Sequence, residues 1–131
     1  MEQVTRLDAW FAERLQGVRC GSDTRAYVVG VLAGFRSAKA MLDPTASLVV
    51  ALAQARQSGD FTAFQRLGDN VLWTSSFCPQ AIGDAELIKT IGRSAYFSCY
   101  RLVNRQWKCY EELADTLPAI IADVRRRCSP R

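Results

Sequence analysis

The apolar residues of this chain recur with a helical period of 3.6 residues along nearly its whole length. No stretch alternates convincingly with the period of two that a half-buried strand requires. Helix-ending residues interrupt the pattern at short intervals, and short connections between helices favour antiparallel neighbours. The sequence therefore predicts an all-α fold, a compact bundle of about six helices in one domain spanning residues 1–131.

Each predicted helix has one apolar stripe and recognisable ends. The second helix is expected to run from Ser22 to Asp43, and Asp43 with Pro44 is expected to cap the third. Gly59 is expected to end that third helix, Asp60 to cap the fourth, and Asp84 to cap the fifth. The third stripe comprises Leu48, Val49, Leu52 and Ala53; the fifth comprises Ile88, Ile91, Ala95, Cys99, Leu102 and Val103. Pro118 should kink the last helix or start a new one near Thr116.

The net charge of +4 is concentrated at one end of the chain. Four of the 17 basic residues lie in an Arg-rich tail, 125–131, which leaves thirteen basic and thirteen acidic residues over positions 1–124. Phosphate contact needs positive charge spread over a face, so we do not expect nucleic-acid binding. Charged residues near the start leave no apolar leader, and the longest uncharged stretch, 70–83, is broken by polar residues. We expect a soluble, cytoplasmic protein that does not enter a membrane.

The residue types required by common catalytic sites are missing or badly spaced. The chain contains no histidine, which removes Ser-His-Asp and Cys-His catalysis. The five cysteines are far apart, whereas metal-ligating cysteines come in close pairs. We expect no metal, no cofactor and no enzyme; a cysteine enzyme that uses Cys78 or Cys99 is the weakest alternative.

Small residues in two helices carry the main packing prediction. Gly92, Ala95 and Cys99 share one stripe of the fifth helix, and Gly68 interrupts the apolar face of the fourth. A glycine inside a helix costs about 1 kcal/mol relative to alanine, so both glycines need a compensating reason. Close packing of the fourth helix on the fifth is the simpler reason, and backbone approached by a ligand or partner is the alternative.

Polar residues beside these glycines form the candidate site. If the two helices cross at the glycines, Asp69 reaches either Arg93 or the Tyr96 hydroxyl through a charge-assisted hydrogen bond. Such a pair orients the helices, or else it floors a small polar pocket. The candidate binding residues for a ligand or a partner are Asp69, Trp73, Arg93, Ser94 and Tyr96.

Three stretches carry a resemblance to a family: FQRLGDNVLWTSSFCP, IGRSAYFSCYRL and CYEELADTLPAIIADV. Together with AYVVGVLAGF they cover roughly residues 26–124. They resemble a set of uncharacterised all-helical bacterial proteins with L-G-D and G-x-S-A-Y helix motifs. Tyr110 and Leu117 stand where that pattern has phenylalanines. The resemblance implies an all-helical fold and a cytoplasmic bacterial origin, and it implies no activity.

The sequence favours a non-catalytic protein that binds another protein, as a small regulator, adaptor or inhibitor. Six short helices are not expected to bury all of the aromatic side chains, which include Trp10, Trp73, Phe77 and Trp107. Aromatic side chains left in a surface patch mark interfaces. A homo-oligomer is compatible with the same reading. The alternative is a small-molecule sensor with a pocket between the fourth and fifth helices, lined by Asp69, Trp73, Arg93 and Tyr96.

Overall fold

The computed structural model describes residues 2–38, 48–77 and 85–128, and all six elements in these ranges are α-helices. The helices are α1 (Glu2–Arg14), α2 (Ser22–Ala38), α3 (Leu48–Ser58), α4 (Phe61–Phe77), α5 (Ala85–Leu102) and α6 (Lys108–Cys128). These ranges contain no strand, so the predicted all-α bundle is confirmed. The expected caps at Asp43 and Asp84 lie outside the described residues, as does Cys78.

The junction between α3 and α4 follows the expected capping chemistry. Gly59 has a φ of 67°, the left-handed conformation that closes a helix without a Cβ penalty. The carboxylate of Asp60 then accepts a hydrogen bond from the Thr62 backbone N–H at 3.1 Å, which caps the start of α4. Both predictions for this junction are confirmed.

The end of α5 closes with a Schellman motif built on a non-glycine residue. The Arg105 N–H donates to the Tyr100 carbonyl at 2.9 Å, and the Asn104 N–H donates to the Arg101 carbonyl at 3.1 Å. Asn104 and Arg105 have φ values of 54° and 59°. Two successive left-handed residues turn the chain sharply into α6.

The core lies where α4, α5 and α6 meet. Helix α4 packs most extensively on α5, α5 packs on α6, and α1 pairs with α2 on the side of this unit. From Val71 to Ser76 every residue of α4 is buried, because neighbouring helices surround its C-terminal half. Large side chains such as Tyr96, Leu113 and Leu117 are fully buried at this centre.

The predicted apolar stripes of α3 and α5 are each confirmed in part. Helix α3 buries Leu48 and Leu52 as predicted, but Val49, which is 53% exposed, and Ala53 are wrong, and Ala55 is buried instead. The predicted residues of α5 are buried or partly buried except Leu102, which is the last residue of the helix and is 46% exposed. Tyr96 and Tyr100 are buried in addition, because α5 packs on both α4 and α6.

The aromatic residues divide between core and surface, as expected. Trp10 and Trp107 are 41% and 56% exposed, whereas Trp73 is buried.

Three of the tail arginines, Arg125, Arg126 and Arg127, lie in the last turn of α6, where positive charge complements the helix dipole.

Candidate functional site

The glycines of α4 and α5 lie in direct contact with large side chains of neighbouring helices. A Cβ built on Gly68 would come within 2.8 Å of the Tyr96 ring. A Cβ built on Gly92 would come within 2.7 Å of Val71 and 2.8 Å of Leu117. Ala95 and Cys99 continue the α5 stripe with no exposed surface. The predicted close packing of α4 on α5 is confirmed.

Asp69 joins three helices through one carboxylate oxygen. Its Oδ1 accepts a hydrogen bond from the Tyr96 hydroxyl at 2.7 Å, which confirms one of the two predicted contacts. The same Oδ1 also accepts from the Tyr27 hydroxyl of α2 at 2.8 Å. The sequence analysis placed Tyr27 only on an apolar stripe, because nothing in the spacing shows which helix faces Asp69.

A third tyrosine completes what we call the Asp69 cluster, which comprises Asp69, Tyr27, Tyr96, Tyr110 and Gln65. The Tyr110 ring centroid lies 5.2 Å from that of Tyr27 and 6.2 Å from that of Tyr96. The Gln65 side-chain amide donates to the Tyr110 hydroxyl at 2.9 Å. The rings stack or meet edge to face, so the cluster is rigid.

Burial controls the protonation of the cluster. It raises the pKa of Asp69 to about 6, although the hydrogen bonds from Tyr96 and Tyr27 act in the opposite direction. Burial, followed by the Asp69 charge, raises the pKa of Tyr27 and of Tyr96 far above the usual range. At neutral pH both tyrosines are therefore fixed hydrogen-bond donors, and Asp69 is an anion that a cation would stabilise.

Arg93 does not reach Asp69, because its guanidinium is bound elsewhere. Its Nε donates to the backbone carbonyl of Ala114 at 2.7 Å. In a regular helix that carbonyl accepts from the residue four positions later, which here is Pro118 and has no N–H. Arg93 thus supplies the missing donor. Helix α6 continues through Pro118, so the prediction of a new helix near Thr116 is wrong.

The two remaining candidate residues also lie away from the cluster. The Ser94 hydroxyl accepts a hydrogen bond from Arg56 of α3 at 3.0 Å, on the side of α5 that faces α3. Trp73 stacks on Phe35 at 5.7 Å and packs against Phe77 at 4.5 Å between ring centroids. Of the five candidate residues, only Asp69 and Tyr96 are hydrogen-bonded to each other.

The groove beside Asp69 lies between α2 and α4, where Tyr27, Phe35 and Asp69 line it. Where α4 crosses α5, by contrast, Tyr96 and Val71 fill the space over the two glycines. A second groove, between α1 and α2, shares Ala26 and Gly30 with the first. The two grooves form one surface over the outer face of α2, which we call the α2 groove. The sequence predicted a pocket between α4 and α5, whereas the groove beside Asp69 lies between α2 and α4.

The thiol chemistry of the described cysteines is suppressed. Cys99 has no exposed surface, and burial raises its pKa to about 12. Burial also raises the pKa of Cys20, Cys109 and Cys128. Within the described ranges, no group of three or more Cys, Asp or Glu side chains is placed to hold a metal ion.

Comparison of the chain with protein-family models, curated proteins and solved structures finds no match. The likeness to the bacterial L-G-D and G-x-S-A-Y family stays a prediction. None of the helices in residues 2–38, 48–77 and 85–128 is long and apolar enough to cross a membrane.

Proposed function

We propose that this protein is a non-catalytic helical regulator, adaptor or inhibitor that binds another protein through the α2 groove. The observation that carries the proposal is the outer face of α2. Ala26, Gly30 and Gly34 are exposed there, and a Cβ on either glycine would meet no atom of the described residues within 4 Å. Two helical glycines without a packing role indicate close approach by something outside the described chain.

The shape of the site supports a protein partner. The α2 groove runs along an exposed helix face, with α1 on one side and α4 on the other. Ligand pockets for small molecules are concave and enclose most of the ligand surface, whereas protein partners cover open faces. The Tyr27 and Tyr96 hydroxyls donate to Asp69, and the Tyr110 hydroxyl accepts from Gln65. The polar groups of the Asp69 cluster therefore bond to each other and brace α2 against α4.

A small-molecule sensor is the second candidate, because the Asp69 carboxylate lines the groove next to two aromatic rings. That arrangement suits a small cation. A thermal-shift screen of amines tests it: the unfolding midpoint rises with ligand concentration in the wild type and less in Asp69→Asn. Flat midpoints for every amine remove this candidate.

We include three further points in this proposal: the likeness to the bacterial L-G-D and G-x-S-A-Y family, a cytoplasmic location and self-association. Self-association fits the proposal because a second copy of the chain is one form of protein partner. Sedimentation analysis at several concentrations tests self-association. The mass of a monomer at every concentration restricts the proposal to a different protein.

The test of the proposed function is photo-crosslinking in the cells that make the protein. A photoreactive residue at Ala12, on the α1 side of the groove, leaves the floor of the groove open and is expected to capture one protein reproducibly. The same residue at Ala119, on the exposed face of α6, is expected to capture none. Gly34→Leu, which fills the groove, is expected to abolish capture from position 12. Equal capture at positions 12 and 119, or capture unaffected by Gly34→Leu, contradicts a role for this face.

A further inference from the structure

The floor of the α2 groove is matched to a helix. Ala26, Gly30 and Gly34 follow one another at intervals of four residues, so they share one face of α2 over about 12 Å, roughly two turns. No side chain larger than a methyl group rises from these three positions. A second helix can therefore approach the α2 backbone closely, as ridge-in-groove packing requires.

The walls of the groove give it polar edges. On the α1 side the wall consists of Ala9 and Ala12, with Asp8 above them. On the α4 side it consists of Gln65 and Asp69, and the Tyr27 ring lies beside them. The groove is thus apolar along its floor, with Asp69 on the α4 side and both Asp8 and Arg25 on the α1 side.

The charges along the groove come from three described side chains. Asp8 and Arg25 both line the α1 side, and the hydrogen bonds from Arg25 Nη2 to the Val18 carbonyl at 2.8 Å and the Cys20 carbonyl at 3.4 Å leave its positive charge in place. Among the described residues, Asp69 alone is charged on the α4 side, and it forms no ion pair with a described lysine or arginine. A basic side chain brought in by a partner would therefore pair with Asp69.

The tyrosine hydrogen bonds to Asp69 occupy only one of its two carboxylate oxygens. Both tyrosine hydroxyls donate to Oδ1, which fixes the plane of the carboxylate and leaves Oδ2 as the oxygen that we assign to the incoming charge. Charge-assisted hydrogen bonds at a partly buried carboxylate are stronger than exposed ones, since less water competes for them.

We propose that the α2 groove binds an amphipathic helix of a partner protein, with small apolar residues over Gly30 and Gly34 and a lysine or arginine paired with Asp69. This inference rests on the proposed function, and it adds the chemistry of the partner. Helix-in-groove recognition places the contacts of one helix at intervals of three and four residues.

The test is selection from a phage-displayed library of helices with randomised apolar and flanking positions. Selection uses the wild-type protein, and counter-selection uses the double variant Gly30→Leu, Gly34→Leu, which is expected to fold because neither site meets a neighbour. Enriched helices are expected to carry a lysine or arginine one turn from a small apolar residue. Affinity is then measured by fluorescence anisotropy on purified variants.

Asp69→Asn keeps an acceptor for both tyrosines and removes the charge, and it is expected to weaken binding at least tenfold. Asp115→Asn, on the exposed face of α6, makes the same charge change away from the groove and is expected to leave binding unchanged. No enrichment over the double variant, enrichment of acidic helices, or equal affinity for wild type and Asp69→Asn overturns the inference. If photo-crosslinking at position 12 still captures a partner in that case, the proposed function survives without its basic helix; if it does not, both fall.

Discussion

Two pairs of helical glycines lie in opposite surroundings in this molecule. Gly68 and Gly92 lie at the contacts of α4, α5 and α6, where an added Cβ would come within 2.7–2.8 Å of buried side chains. Gly30 and Gly34 lie on the outer face of α2, where an added Cβ would touch nothing in the described chain. Each glycine costs its helix about 1 kcal/mol relative to alanine. Packing inside the chain offsets that cost for the first pair only, so the second pair points to a partner.

The largest effect is expected from filling the inner contact. Gly92→Leu forces a branched side chain against Val71 and Leu117, neither of which has free space, and α5 must move away from α4 and α6. We expect a loss of about 3 kcal/mol in the free energy of unfolding, measured by urea denaturation.

Gly34→Leu is the matched control on the outer face, and we expect its stability to equal or exceed that of the wild type. A loss of similar size in both variants would contradict the contrast between the two pairs. A silent Gly92→Leu would show that the inner contact is loose.

Asp69 links the two regions, because it holds α2 to α4 and α5. Its pKa in the folded protein is about 6, above the unfolded value of 3.8, so folding favours the protonated form. Its contribution is full below pH 3.8 and is lost as the pH rises through about 6. The free energy of unfolding of the wild type minus that of Asp69→Asn should therefore fall across this window by about 3 kcal/mol, since one pKa unit corresponds to about 1.4 kcal/mol.

Urea unfolding of both proteins at several pH values measures this difference. A difference that rises with pH would mean that the folded chain stabilises the ionised carboxylate, through a cation or through the two tyrosine hydrogen bonds, and it would contradict the raised pKa of Asp69.

Arg93 shows how the inner region depends on individual polar contacts. Arg93→Met keeps the aliphatic stem but leaves the Ala114 carbonyl without its donor, which is expected to cost about 1 kcal/mol. In a Pro118→Ala background, residue 118 has an N–H that can bond to Ala114, so the same change should cost much less. Chemical denaturation of the four proteins gives the coupling free energy. Equal losses in both backgrounds would rule out the proposed link between Arg93 and Pro118.

The smallest effect is expected at Cys99. Cys99→Ala removes one sulfur atom from the inner contact and leaves a small side chain in the stripe, so we expect a loss below about 1 kcal/mol and unchanged photo-crosslinking at position 12. A folded Cys99→Ala protein that no longer captures its partner would make this thiol part of the function.

The sequence predicted the inner region better than the outer one. Gly68, Gly92 and Ala95 lie on strongly periodic helices, so their spacing predicted that α4 and α5 pack closely and that Asp69 reaches either Arg93 or Tyr96. The role of Arg93 was missed because it depends on a carbonyl of α6, which is remote in sequence. Tyr27 was missed because periodicity gives the buried face of a helix and not the partner across from it.

The outer region escaped sequence analysis for a different reason. Gly30 and Gly34 interrupt an apolar helix in the same way as Gly68 and Gly92 do, and only the arrangement of the helices separates the two pairs. Val49 and Leu102 are exposed for the same reason, since the arrangement of the neighbouring helices decides which of a helix's apolar residues are buried.

The most direct test of this account is the change in the free energy of unfolding on replacing each of the four glycines by alanine. Alanine adds one methyl group and gains about 1 kcal/mol of helix propensity, so the sign of the change reports whether the site has room. We predict that Gly68→Ala and Gly92→Ala destabilise the protein by about 1–3 kcal/mol. We predict that Gly30→Ala and Gly34→Ala stabilise it by up to about 1 kcal/mol. The same sign at all four positions would contradict the distinction on which the α2 groove is assigned to a partner.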